Sequence, residues 1–486
     1  MTKKKIGLIV VAVVLLVAIV ATSIILALNL SYTYSPAEAE NIIAPGETCE
    51  ITIEYNGAKG KPEKEVVHAE AYTEYVFPEV EKDGYKFFCW FCDFVAYQKS
   101  VPIYSKKIRA IAQFERDYSL VSAPCALYDS GTDFKEYEVG EYSDVNKKVV
   151  DLYIEGGYVA KVYSKKNFKG KETQVTYQGT FTGKVGSLKI IKLNTQKVEV
   201  PNLNDDTKAK LLKDYSPRLW WDKDEKYYAS SVEFALENLT RTLSPYGYMG
   251  VLEDLDSPKY KSDYFYGDKD GMKAYGFAVE KEYTYLDLCY YLFFPYNKAK
   301  TVLGMEFGNH VGDWEHMIVR LKVSNEGGKT YIEPVFAQYS IHSERIYMPW
   351  TDVPKCEGEH PVGYIANGSH GIWPKAGKNV YKNFVILKLT DICSEGEAWD
   401  LWDNNNLETY SYDALTWTGD GIGDSTWNTC FDHDFYNEDS NSITRWGNFG
   451  FKYPVQLYPQ LQNPPEGPTC KKGVFDYYAI DTRFVY

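Results

Sequence analysis

Most of this chain is written in short runs of alternating or aromatic-rich residues punctuated by Gly, Asn and Pro, a rhythm that fits strands and turns and leaves little room for helices. Glu50–Gly57 alternates and closes on Asn-Gly, and the runs Leu286–Pro295, Trp314–Val323, Tyr331–Tyr339 and Tyr381–Leu389 are the clearest strands of the C-terminal half. One stretch, Ser230–Leu239, places Val232, Ala235, Leu236 and Leu239 at helical spacing. The 43 tyrosines favour strands and contact faces. The expected fold class is therefore mainly β. Successive strands without helices between them predict an antiparallel sandwich for the C-terminal part.

The N-terminus adds a different constraint. Lys3, Lys4 and Lys5 precede an uncharged, largely apolar run from Ile6 to Leu30, long enough to cross a hydrocarbon core of about 30 Å. The basic flank predicts a single-pass anchor with a cytoplasmic N-terminus and an extracellular or luminal ectodomain. The rival reading is a cleaved signal peptide, with Ala37-Glu38-Ala39 as the cleavage site. The net charge of -14, with no basic cluster after the N-terminal lysines, speaks against nucleic acid as a partner. Cys89 and Cys92, two of nine cysteines, have CxxC spacing, but without a second CxxC or a βαβ pattern they read as strand thiols or a local bridge.

Four segments follow: 1–33, tail and transmembrane helix; 44–117; 118–200; and 208–486, the last after a polar linker at Pro201–Thr207. In the second, Glu50–Gly57, Phe77-Pro78-Glu79, Asp83–Phe91 with its Gly-Tyr-x-Phe-x-x-Trp, and Ile108–Glu115 resemble the Listeria–Bacteroides, or internalin B-type, repeat. Cys89 stands where that family has a small residue. The resemblance implies a small β-grasp-like unit serving as stalk or adhesive module. In the third, Tyr158–Tyr163, Asn167–Gly170 and Gly186–Ile191 resemble half of a crystallin-like Greek key. Gly183 and Lys184 replace the acidic pair of its calcium sites, so a spacer is expected.

The densest chemistry lies in Gly308-Asn309-His310-Val311-Gly312-Asp313-Trp314-Glu315-His316. On a strand, Asp313 and Glu315 share one face, continued into the core by Met317, Val319 and Leu321, while Trp314, His316 and Ile318 take the other. Adjacent carboxylates repel unless a proton or a cation lies between them. With His310 on the preceding turn they form a mixed N/O set suited to Ca2+, Mg2+ or Mn2+, and also to Zn2+. The bland alternative is a turn with solvated acids.

The C-terminal segment resembles the vacuolar protein sorting-associated protein 62 family. The matching motifs, in order, are Tyr215–Asp222, Asp224–Val232, Tyr291–Asn297, His310–His316, Gln338–His342, Ala366–Gly371 and Arg445–Gly450. It is also distantly similar to necrosis- and ethylene-inducing toxin-like proteins, whose heptapeptide is Gly-His-Arg-His-Asp-Trp-Glu. That similarity implies metal-ligating roles for His310, Asp313 and Glu315. It also implies a contribution from Asn297, at the end of Pro295-Tyr296-Asn297, and from His370. Gly312 replaces the heptapeptide's second histidine, and Asn297 replaces an acidic ligand. The similarity further implies a β-sandwich that takes a divalent cation, Ca2+ or Mg2+, and recognises a glycan, a glycolipid or a membrane.

Three functions stay open: a cation-dependent surface binding module; a metal-assisted hydrolase with His342 or His370 as base; and an adhesive or structural protein. An enzyme is the lesser expectation, since Gly-x-Ser-x-Gly, HExxH and P-loop motifs are all missing. Gly419–Asp424 reads as a polar turn. Trp399, Trp402, Trp417, Trp427 and Trp446 read as sandwich anchors or a sugar-stacking surface, and Asn238 and Asn367 begin glycosylation sequons.

Overall fold

A computed structural model of the chain describes residues 41–421, apart from 93–94, 98, 131, 177–180, 239, 245–246, 252–262, 299, 303–304, 308–309, 343, 384–387, 404–405 and 414–417. The protein is mainly β. The apolar run 6–30, its flanking lysines, Trp417, Trp427, Trp446 and the Arg445–Gly450 motif lie outside the described residues. No helix among the described residues is long and apolar enough to cross a membrane.

Residues 41–116 form one core around a five-stranded sheet, ordered Lys64–Glu70, Thr48–Glu54, Lys107–Arg116, Tyr85–Cys92, Val95–Tyr97. Its first and last long strands, Thr48–Glu54 and Lys107–Arg116, run parallel at the centre. Trp90 is buried there between Tyr55 and a stacked Phe77. Cys92 shares that core, whereas Cys89 is buried with Phe88. An odd spacing on a strand sends the two thiols to opposite faces, so they form neither a bridge nor a shared metal site. Residues 125–190 carry a second core, in which Tyr158–Lys165 pairs with Ser187–Lys192.

The third body begins earlier than the composition shift implies. We label β1 (Val198–Val200), α1 (Asp205–Asp214), β2 (Arg218–Trp220), α2 (Val232–Asn238), β3 (Ala274–Lys281), β4 (Tyr285–Asn297), β5 (His310–Glu326), β6 (Lys329–Ile341) and β7 (Glu344–Pro349). There follow β8 (Lys355–Cys356), β9 (His360–Ile365), β10 (Ile372–Trp373), β11 (Gly377–Asn383), β12 (Lys388–Cys393), β13 (Ala398–Asp400), β14 (Leu407–Asp413) and β15 (Thr418–Gly421). β1 already pairs with β6. The expected linker holds the start of α1, capped by Asn204, whose side chain accepts from the Thr207 amide, with Asp205 and Asp206 in the first turn. A boundary at 208 therefore cuts a helix. The expected strand Tyr381–Leu389 instead spans parts of two strands, β11 and β12, which pair as a hairpin. Gly419–Gly421 belong to β15 rather than to a turn.

An eight-stranded sheet, ordered β1-β6-β5-β4-β3-β14-β15 with β7 also on β6, faces a five-stranded sheet, β8-β9-β2-β13 with β10 on β9. The core between them joins Leu286, Leu288, Tyr290, Met317, Val319 and Leu321 to Leu219, Ile365, Ile372 and Trp399 of the opposing sheet. The Tyr339 hydroxyl donates across the gap to the Val362 carbonyl at 3.2 Å. β4 is buried along its whole length, as its continuous apolar run requires. On its outer side Arg320 and Asp287 form a bidentate pair at 2.7 and 2.8 Å, only 1% and 0% exposed, with Tyr285 and Phe336 flanking the guanidinium.

Candidate functional site

Antiparallel pairing of β4 with β5 sets the site: Asn297 lies opposite His310, Phe294 opposite Asp313 and Leu292 opposite Glu315. Asp313 and Glu315 thus share the face of Met317, Val319 and Leu321, as alternation predicts. Between the register pairs stand Pro295, which has no amide hydrogen, and Gly312, whose φ of +70° lies in the left-handed region. The ladder opens there, at a backbone geometry that disfavours any β-carbon.

Asp313, 4% exposed, accepts from the Trp314 amide at 2.9 Å through Oδ1 and from Asn297 Nδ2 at 3.2 Å through Oδ2. His370 Nδ1 stands 3.9 Å from the same Oδ2. His370 is wholly buried, its ring lies flat on Phe294 with centroids 3.9 Å apart, and neither ring nitrogen has a hydrogen-bond partner among the described residues. Its backbone is left-handed, with φ +59°, a conformation few non-glycine residues adopt outside functional or strained turns. Burying two unmet polar atoms costs about 1–3 kcal/mol each.

The loop carrying His370 is fastened on three sides. Gly368 N donates to Glu225 at 2.7 Å, Asn367 Nδ2 to Asp222 at 3.2 Å, and Ser369 Oγ to Asp391 at 2.7 Å. Lys298 N, just past β4, donates to the Gly368 carbonyl. Asp391, fully buried in β12, also accepts from Trp373 Nε1 and meets His342 Nε2, each at 3.0 Å. Glu315 takes the Ser340 hydroxyl at 2.6 Å, and Gln338 reaches His316 Nε2 at 3.1 Å. Six motifs far apart in sequence therefore converge on one place.

Of the residues expected from sequence, the structure brings together Asn297, Asp313 and His370. Glu315 shares their face and is engaged by Ser340. His342 belongs to a neighbouring cluster with Asp391 and Tyr381. The backbone of His310 opens β5; its side chain lies outside the described residues. Among the described residues no group of three His, Cys, Asp or Glu side chains stands ready to hold a metal. The buried imidazole beside a carboxylate and an amide does fit an N/O donor set. Asp222, Glu225, Ser340 and Asp391 were not singled out from sequence. Asp391 leaves a signal, since in β12 it alternates with Leu389 and Cys393 on the buried face. Burial pushes the Cys289 thiol of β4 far up, away from the thiolate a nucleophile needs. The Asn367 sequon is closed off by the Asp222 bond and by buried Ser369, whereas Asn238 is exposed.

Residues 256–386 match the model of the family described as vacuolar protein sorting-associated protein 62. Two relatives from Saccharomyces cerevisiae are similar to this chain. Vacuolar protein sorting-associated protein 62 is 28% identical over 210 residues, covering 39% of this chain and 42% of that protein. The vacuolar protein sorting-associated protein TDA6 is 26% identical over 187 residues, covering 35% and 40%. The match thus spans about two fifths of each relative. Among solved structures, NLPPya in complex with mannosamine aligns at TM-score 0.24 and 15% identity, covering 44% of this chain and 78% of that one. Necrosis and ethylene inducing protein 2 from the causal agent of cocoa's Witches Broom disease aligns at TM-score 0.22 and 14% identity, covering 44% and 76%.

Proposed function

We propose that the C-terminal body is a cation-dependent recognition module displayed outside the cytoplasm by the Ile6–Leu30 segment. Asp313, His370 and Asn297 hold a divalent cation, Ca2+ or Mg2+, with Glu315 and His310 completing the donor set, and the module recognises a glycan, a glycolipid or a membrane. The supporting observation is His370: a wholly buried imidazole with two unmet nitrogens, held in a strained backbone beside Asp313. A cation there would meet the imidazole and offset the cost of burying Asp313 and Glu315. The N-terminal units act in this reading as a β-grasp-like repeat and a Greek-key-like spacer.

A second reading, metal-assisted hydrolysis, draws support from the His342–Asp391 pair, because a carboxylate orients a general base in this way. His370 is sealed against Phe294 and is not placed to take a proton from a substrate. Thermal unfolding of the full chain in EDTA, Ca2+, Mg2+, Mn2+ or Zn2+ tests the proposal. A ligand that binds only the folded state at about a hundred times its Kd stabilises by about 2.7 kcal/mol. That gain should vanish in Asp313→Asn. Equal unfolding in chelator and in every cation would remove the reading.

A further inference from the structure

The β11–β12 hairpin presents a basic surface on this acidic chain. β12 alternates strictly: Leu389, Asp391 and Cys393 face inward, and Lys388, Thr390 and Ile392 face outward. On β11, Lys378, Val380 and Lys382 are all exposed, and Lys375 is exposed just before the strand. Val380 and Ile392 are 41% and 51% exposed. Between 375 and 393 the only carboxylate is Asp391, which points inward and is fully buried. Lys375, Lys378 and Lys388 make no ion pair among the described residues, although the chain carries a net charge of -14. The inner face is bonded to the candidate site, Asp391 to Ser369 and His342, and the Tyr381 ring lies tilted against His342 with centroids 4.0 Å apart.

We infer that this hairpin is a docking face for an anionic lipid bilayer. Lysines spaced along an exposed strand pair complement a negative headgroup layer, and the two branched apolar side chains among them enter the interface, which a soluble polyanion would not reward. The inference deepens the recognition reading above and rests on it for the display of the module. To test it, the full chain is held in phosphatidylcholine nanodiscs. It is mixed with sucrose-loaded acceptor vesicles, of phosphatidylcholine alone or with phosphatidylserine added, in EDTA and in Ca2+. Sedimentation with the anionic acceptors alone is expected, weakening as salt rises. Each lysine near an anionic surface contributes about fivefold, so Lys378→Gln/Lys382→Gln/Lys388→Gln should lose about a hundredfold. Val380→Ser/Ile392→Ser should lose a smaller factor while keeping the wild-type Tm. Equal capture by neutral vesicles, an unchanged triple variant, or heparin binding that ignores Val380 and Ile392 would overturn the proposal. Capture that persists in EDTA and in Asp313→Ala supports the hairpin even if the cation site fails.

Discussion

At the scale of single residues, two buried polar features separate stability from function. The Arg320–Asp287 pair sits inside the sheet with its charges matched and flanked by rings. Arg320→Met leaves Asp287 buried without its guanidinium and should cost about 3–5 kcal/mol in a urea titration. Arg320→Met/Asp287→Leu should recover most of that loss. His370 behaves in the opposite way. Its nitrogens are unmet, so His370→Phe should raise stability in EDTA by about 1–3 kcal/mol while abolishing any gain on adding cation. A variant that unfolds earlier in EDTA would show that the imidazole is structurally satisfied.

At the scale of elements, long periodic strands were legible and short or aperiodic ones were not. The alternation in 313–321 placed Asp313 and Glu315 on the core face correctly, because one buried face fixes register. β1 has three residues, too few to show a period, and its pairing with β6 is set by tertiary contact. α1 was hidden by its polar start, although Asn204 followed by Asp205 and Asp206 carries the cap signal. Asn204→Ala should lower stability by about 1 kcal/mol, read from the shift in denaturant midpoint, without altering cation binding. The site was half legible. Asn297 and Asp313 lie in neighbouring strands, but the bonds from Asp222, Glu225 and Asp391 to the His370 loop join residues from 22 to 145 positions apart, a distance that no local pattern spans.

At the scale of the whole molecule, the three β bodies are bolted to one another rather than strung on open linkers. Tyr118, Tyr128, Tyr153 and Tyr285 form one small core at the junction of the second and third bodies. Gly156 N donates to the Tyr285 hydroxyl at 2.7 Å, beside ion pairs of Glu155 with Lys322 and of Lys86 with Glu282. A β-carbon on Gly156 would stand 2.7 Å from the Tyr285 ring. Gly156→Val should wedge that junction apart and increase cleavage near 156 in limited proteolysis. An unchanged cleavage pattern would mean that the junction yields without opening. A rigid junction would hold the His370 site and the β11–β12 hairpin in a fixed orientation to the second body.

Cation binding between Asp313 and His370 is the property from which the proposed recognition follows. Calorimetric titration of the full chain with Ca2+, Mg2+, Mn2+ and Zn2+, beside Asp313→Ala/Glu315→Ala, measures this directly. Saturable binding of one ion per chain, absent from a folded double variant, is the predicted result. No heat of binding from the folded wild type, or binding that survives the double variant, would contradict it.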